Sequence, residues 1–153
     1  MAALKKKVMS NSIRLSFPAS LDNVDEAAAR IKNFLVQKNL GEVSFEAILA
    51  LREALINAVE YGSGSNPEKT VNLELRIEQS RLVMEIEDQG PGFEWHARFR
   101  TALPDGDTSG RGLYIMRTYC DGILYNKAGN RLILLKRIKP TGGNYEYGSS
   151  QNS

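Results

Sequence analysis

An acid and an amide four residues apart, Glu53 and Asn57 in "EALINAVEYG", share one face of any helix that carries them. The amide oxygen of Asn57 suits a hard cation, since Mg²⁺ takes one or two protein oxygens and completes its shell with phosphate and water. Glu53, one turn earlier, can accept the proton of an attacking hydroxyl. Glu60 follows Asn57 by about one turn, on nearly the same face. The same pattern also describes an exposed polar stripe opposite a core face, so the helix alone leaves both readings open.

A second carboxylate, in "RLVMEIEDQG", has a defined direction. Asp88 shares the parity of Leu82, Met84 and Ile86, so a strand reaching that far points it to the apolar side. A carboxylate placed there needs a hydrogen-bond donor. Capping the following turn would supply one; so would the amino group of a ligand such as adenine. In "DQGPGF", Gly90 and Gly92 stand where the chain leaves the sheet, permitting positive φ and the approach of a flat ligand to the backbone. In "SGRGL", Gly110 and Gly112 flank Arg111 just before a predicted helix, whose free N–H groups would favour a phosphate. Neither the Walker pattern nor the dinucleotide fingerprint occurs, so neither standard glycine loop accounts for these residues.

The elements that must position these groups follow from periodicity. Residues 1–11 read as a flexible arm, with the lysine run at 5–7 as a solvated feature. "SIRLSF" alternates as a strand, and "LDNVDEAAARIKNFLVQKNLG" has helical spacing with Gly41 as its stop. A second helix is predicted from an N-cap at Ser44 to Gly62, its core face formed by Phe45, Ile48, Leu49, Leu55, Ile56 and Val59. Two alternating strands, "TVNLELRIE" and "RLVMEIEDQG", precede a mobile surface segment at residues 94–109. A short helix in "GRGLYIMRTYC" and a hairpin turning at Gly129 and Asn130 complete a domain over residues 12–139. Residues 140–153 read as a disordered tail. The order implies an α+β fold: a two-layer sandwich with a mixed, mostly antiparallel sheet and helices on one face.

Composition bounds the class. With 153 residues, 42% apolar and 25% charged, the chain suits one cored domain. A net charge of +2 with interleaved signs gives no argument for nucleic acid or a membrane surface. The single cysteine, Cys120, excludes an internal disulfide and reads as a small core residue. No apolar run spans a bilayer and no secretory signal is visible, so the expected location is cytoplasmic. His96, the one histidine, reads as a loop residue, and Trp95 and Phe99 as packing within that loop.

Taken in order, Glu53-x-x-x-Asn57, "DQGPGF" and "GRGL" resemble the N box and two glycine boxes of the Bergerat-fold (histidine-kinase-like) ATPases. Within that superfamily, "REALINAVEYG" and "GRGLYIMRTYCDGI" are most similar to the anti-sigma factor serine-protein kinases, over roughly residues 13 to 138. The resemblance implies ATP and Mg²⁺ as cofactors, Glu53 as general base, Asn57 as metal ligand and Asp88 as adenine reader. Gly90 and Gly92 would shape the pocket, Gly110, Arg111 and Gly112 would bind phosphate, and residues 94–109 would form an ATP lid. It further implies a homodimer that phosphorylates a serine on a small STAS-type anti-anti-sigma protein and sequesters a sigma factor. A non-catalytic, nucleotide-binding partner-switch module is the alternative; an ATPase piece of a gyrase- or MutL-like machine is a weaker third reading. Two positions depart from the family pattern: Tyr61 where many relatives have His, and Asn130 and Arg131 where a Gly-Thr pair is usual.

Overall fold

A computed structural model describes residues 4–91 and 108–138 of the chain. Gly92, Trp95, His96, Phe99, most of the expected lid and the expected tail from residue 140 lie outside them.

Six strands form one sheet: β1 (Lys5–Met9), β2 (Ser12–Pro18), β3 (Thr70–Glu78), β4 (Arg81–Glu87), β5 (Gly122–Tyr125) and β6 (Arg131–Arg137). Their order is β1-β2-β3-β4-β6-β5, and every neighbouring pair is antiparallel, so the sheet is not mixed. Register places Phe17 opposite Val71, Leu73 opposite Ile86, and Met84 opposite Leu134. These residues alternate with polar ones along each strand, which makes one face of the sheet apolar. Helices α1 (Leu21–Gln37), α2 (Gly41–Asn57) and α3 (Thr108–Tyr119) complete the core, with Ile31, Leu35, Leu51, Leu55, Leu113 and Met116 buried. The opposite face carries an ion-pair ladder, in which Arg14 meets Glu74, Arg76 meets Glu74, Glu78 and Glu85, and Arg131 meets Glu85. A groove of about 390 Å³ on that face is lined by Lys6, Arg14, Glu74 and Glu85 among others. Of its charged lining residues, Arg14, Glu74 and Glu85 belong to that ladder.

Several expectations need correction. Lys5–Met9 is not a loose arm but an edge strand, exposed at all five residues. Its lysines blunt an edge that could otherwise pair with another chain. Gly41 does not stop α1. Asn39, at φ 62°, takes that role: the Leu40 N–H donates to Leu35 O and the Asn39 N–H to Val36 O, a Schellman closure. Gly41 instead opens α2, so Ser44 lies inside the helix, where its hydroxyl donates to Gly41 O at 2.7 Å.

The core face of α2 is also phased differently. Phe45 is 69% exposed, while Ala47, Ala50, Leu51, Ala54 and Leu55 are buried. The helix packs on both α1 and α3. Alanines let it approach its neighbours closely, and the larger Ile48 and Ile56 are only partly covered.

Candidate functional site

The α-helical pattern of α2 ends at Asn57, and Ala58–Gly62 form a π-helical turn. Ser63 closes it by donating its N–H to Ala58 O at 2.9 Å. A π turn holds one more residue than an α turn and so shifts the phase of everything after it. Glu60, expected on the face of Asn57, is exposed, whereas Asn57 is 7% exposed. The turn also delivers Gly62 to the sheet.

Asp88 lies where strand parity put it. Its N–H donates to Asn130 O at 3.0 Å, which extends the pairing of β4 and β6 by one residue. The side chain is 9% exposed, and its Oδ1 accepts the Gly90 N–H at 2.7 Å. Burial pushes this carboxyl above its ordinary value, against the opposing pull of the Gly90 N–H. Turn capping thus occupies one carboxylate oxygen and leaves the other for a further donor.

The glycines around Asp88 are required by close approach. A Cβ on Gly62 would fall under 3.0 Å from both carboxylate oxygens of Asp88, and a Cβ on Gly90 would overlap Gly62 O. Neither Gly62 nor Gly90 has positive φ, so the expectation of a left-handed turn at Gly90 is replaced by a steric reason. Gly62 is a site residue that periodicity missed, because it read only as a helix stop.

At the other end of the site, Gly110, Arg111 and Gly112 do not precede the helix but lie in its first turns, since α3 begins at Thr108. The N–H groups of residues 108–111 have no intrahelical acceptor and carry the positive end of the helix dipole. A Cβ on Gly112 would stand 2.6 Å from Glu53 Oε1, so the Glu53 carboxylate packs directly on this turn. Burial raises the Glu53 pKa, with Arg52 and Arg111 pulling the other way. Arg52 is engaged by Asp25 of α1 at 2.6 Å. Glu53 is thus a stronger base than an exposed glutamate and stands beside the positive end of a helix.

The departures also find places. The Arg131 side chain pairs with Glu85 on the open face. Asn126 organises the hairpin: its Oδ1 accepts the N–H groups of Gly129, Asn130 and Arg131, and its Nδ2 donates to Asn130 Oδ1. Asn130 contributes its carbonyl to Asp88 while its side chain is held by Asn126. Tyr61 is 46% exposed within the π turn. Gly92 lies outside the described residues.

Among the described residues no cluster of three or more metal-ligating His, Cys, Asp or Glu occurs, and no helix is long and apolar enough to cross a membrane. Residues 17–136 match the family model of the histidine kinase-like ATPase domain. Similar curated proteins include an anti-sigma F factor of Clostridium perfringens, 28% identical over 85% of this chain and 99% of that protein. Others named anti-sigma F factor come from Clostridium novyi, at 26% over 84% and 96%, and Anoxybacillus flavithermus, at 29% over 85% and 94%.

Proposed function

Because the chain belongs to the histidine kinase-like ATPase family, we propose that it is an ATP-dependent protein serine kinase and anti-sigma factor. Its substrate would be a serine on a small STAS-type anti-anti-sigma protein, and its second partner a sigma factor held by a cytoplasmic homodimer. The observation that carries this reading is the contact of the Glu53 carboxylate with Gly112 at the start of α3. It sets a base of raised pKa against the place where a phosphoryl group would lie. A module that merely binds nucleotide has no use for such a base.

Each group has a defined task. Asp88 accepts a hydrogen bond from the amino group of the adenine, over the floor made by Gly62 and Gly90. The free N–H groups of the first turn of α3, with Arg111 beside them, neutralise charge on the phosphoryl oxygens. Glu53 takes the proton of the serine hydroxyl as the serine oxygen attacks the γ-phosphorus and the bond from it to the β-phosphate oxygen breaks, releasing ADP, so catalysis rests on positioning and electrostatics.

Asn57 fits a Mg²⁺ ion bound mainly by phosphates and water. It is nearly buried, one turn from Glu53, and offers a neutral oxygen without a surrounding acidic cage. Such an ion would supply charge neutralisation to the phosphates.

The test is transfer of labelled γ-phosphate from ATP to the cognate anti-anti-sigma protein. Transfer by the intact chain and its loss in Glu53→Ala are expected. Tight nucleotide binding with no transfer to any such partner would instead favour the partner-switch alternative.

A further inference from the structure

The outward side of α2 is apolar where the solvent side of a helix is ordinarily polar. Among the described residues no large apolar side chain is more exposed than Phe45. Leu49 and Ile56 are partly exposed, and Arg52 lies between them. At about 100° per residue these four side chains fall within about 60° of the helix surface, opposite the buried Ala47, Ala50 and Ala54. Arg52 is paired with Asp25 of α1 at 2.6 Å, so covering it would not strand a lone charge.

This stripe runs up to the proposed base. Phe45 lies about 12 Å from Glu53 along the helix axis and about 80° around it. The sheet backs the inner side of the helices, so a protein offering a serine to Glu53 lies over their outer surface. A specific interface buries about 800 Å² on each partner, a disc of about 16 Å radius. Centred on Glu53, such a disc takes in Phe45, Leu49 and Ile56.

We propose that Phe45, Leu49 and Ile56 form the docking surface for the serine-bearing substrate protein, which covers them with an apolar patch of its own. Phe45 is the anchor, since its ring offers the largest area still open to burial. The inference rests on the kinase reading above and adds to it a specificity surface outside the catalytic groups.

The test follows transfer of labelled γ-phosphate by the full chain against the concentration of the cognate anti-anti-sigma protein. Phe45→Ser raises KM for that protein at least about tenfold while kcat and ATP affinity hold, the pattern of lost uniform binding. Serine and phenylalanine have similar helix propensities and the site is exposed, so the urea midpoint stays near that of wild type. Phe45→Leu, which keeps an apolar side chain, restores most of the lost affinity. An unchanged KM in Phe45→Ser, or a loss confined to kcat, overturns the inference. So does an unchanged KM with self-association lost in sedimentation, which would assign the stripe to a second copy of this chain. Calorimetric binding of the same protein in the presence of ADP separates the two levels. Binding weakened by Phe45→Ser, with no transfer even by wild type, keeps the docking surface and removes the kinase; transfer that Phe45→Ser leaves intact removes the docking surface alone. Neither binding nor transfer by wild type removes both.

Discussion

Gly62→Ala is the sharpest probe of the pocket floor. The added Cβ would stand 2.8 Å from Asp88 Oδ1 and closer still to Oδ2 and Cγ. A carbon meets an oxygen comfortably at about 3.3 Å or more, so the carboxylate or the π turn must move by roughly half an ångström to one ångström. Retreat is blocked on two sides. Oδ1 is tied to the Gly90 N–H at 2.7 Å, and Gly90 itself has no room against Gly62 O. Overpacking of this kind costs about 1–3 kcal/mol, which for a domain of this size lowers the melting midpoint by about 3–12 °C. The displaced carboxylate would also lose its proposed bond to the base, worth about 1.5–3 kcal/mol for a charged acceptor, or roughly 10- to 100-fold in ATP affinity. Scanning calorimetry and equilibrium ATP binding read the two effects. The control is Asp88→Ala: with the carboxylate gone, Gly62→Ala has little left to strike, so the double mutant should show coupling of at least about 1 kcal/mol. An equal penalty in both backgrounds, or a neutral Gly62→Ala, would refute the steric argument.

Glu53→Gln keeps the shape of the base and removes its proton affinity, so phosphate transfer should fall at least about 100-fold with ATP affinity nearly unchanged; single-turnover transfer rates check this. Gly112→Ala meets only the flexible end of Glu53, at 2.6 Å, and should cost under about 1 kcal/mol in urea unfolding. Because it displaces the base, its transfer rate should nonetheless drop about tenfold or more. For pH, burial raises the Asp88 pKa above 3.8, so the folded chain binds that proton more tightly than the unfolded chain. The stability of wild type relative to Asp88→Asn is therefore greatest below 3.8 and declines as pH rises through the folded value. Urea midpoints of the two proteins between about pH 3.5 and pH 7 follow that difference, and a difference that grows with pH would contradict the burial argument.

Much of the site was legible because strand parity is rigid. Once Leu82, Met84 and Ile86 face the core, Asp88 can only follow if pairing continues, and the Asn130 carbonyl continues it. Glu53 and Asn57 were legible as a spaced pair, but their partners were not, since the contact with Gly112 joins two helices far apart in sequence. The phase of α2 was hidden because apolar residues occur on most of its sides, and size favoured Phe45 over the alanines that pack. The edge strand was masked by its own lysines, which serve solubility in a tail and in an edge alike. The π turn leaves no compositional trace: one additional residue per turn changes a hydrogen-bond partner, not a residue type.

That turn makes the helical segment from Glu53 to Gly62 a ruler. Nine residues at about 1.5 Å each set the proposed phosphate end and the proposed base end roughly 13 Å apart along one axis. Deleting one residue from the π turn would let it relax to an ordinary α turn, whereas deleting one between Glu53 and Asn57 would turn the glycine floor about 100° away from Asp88 and cost the ruler its zero.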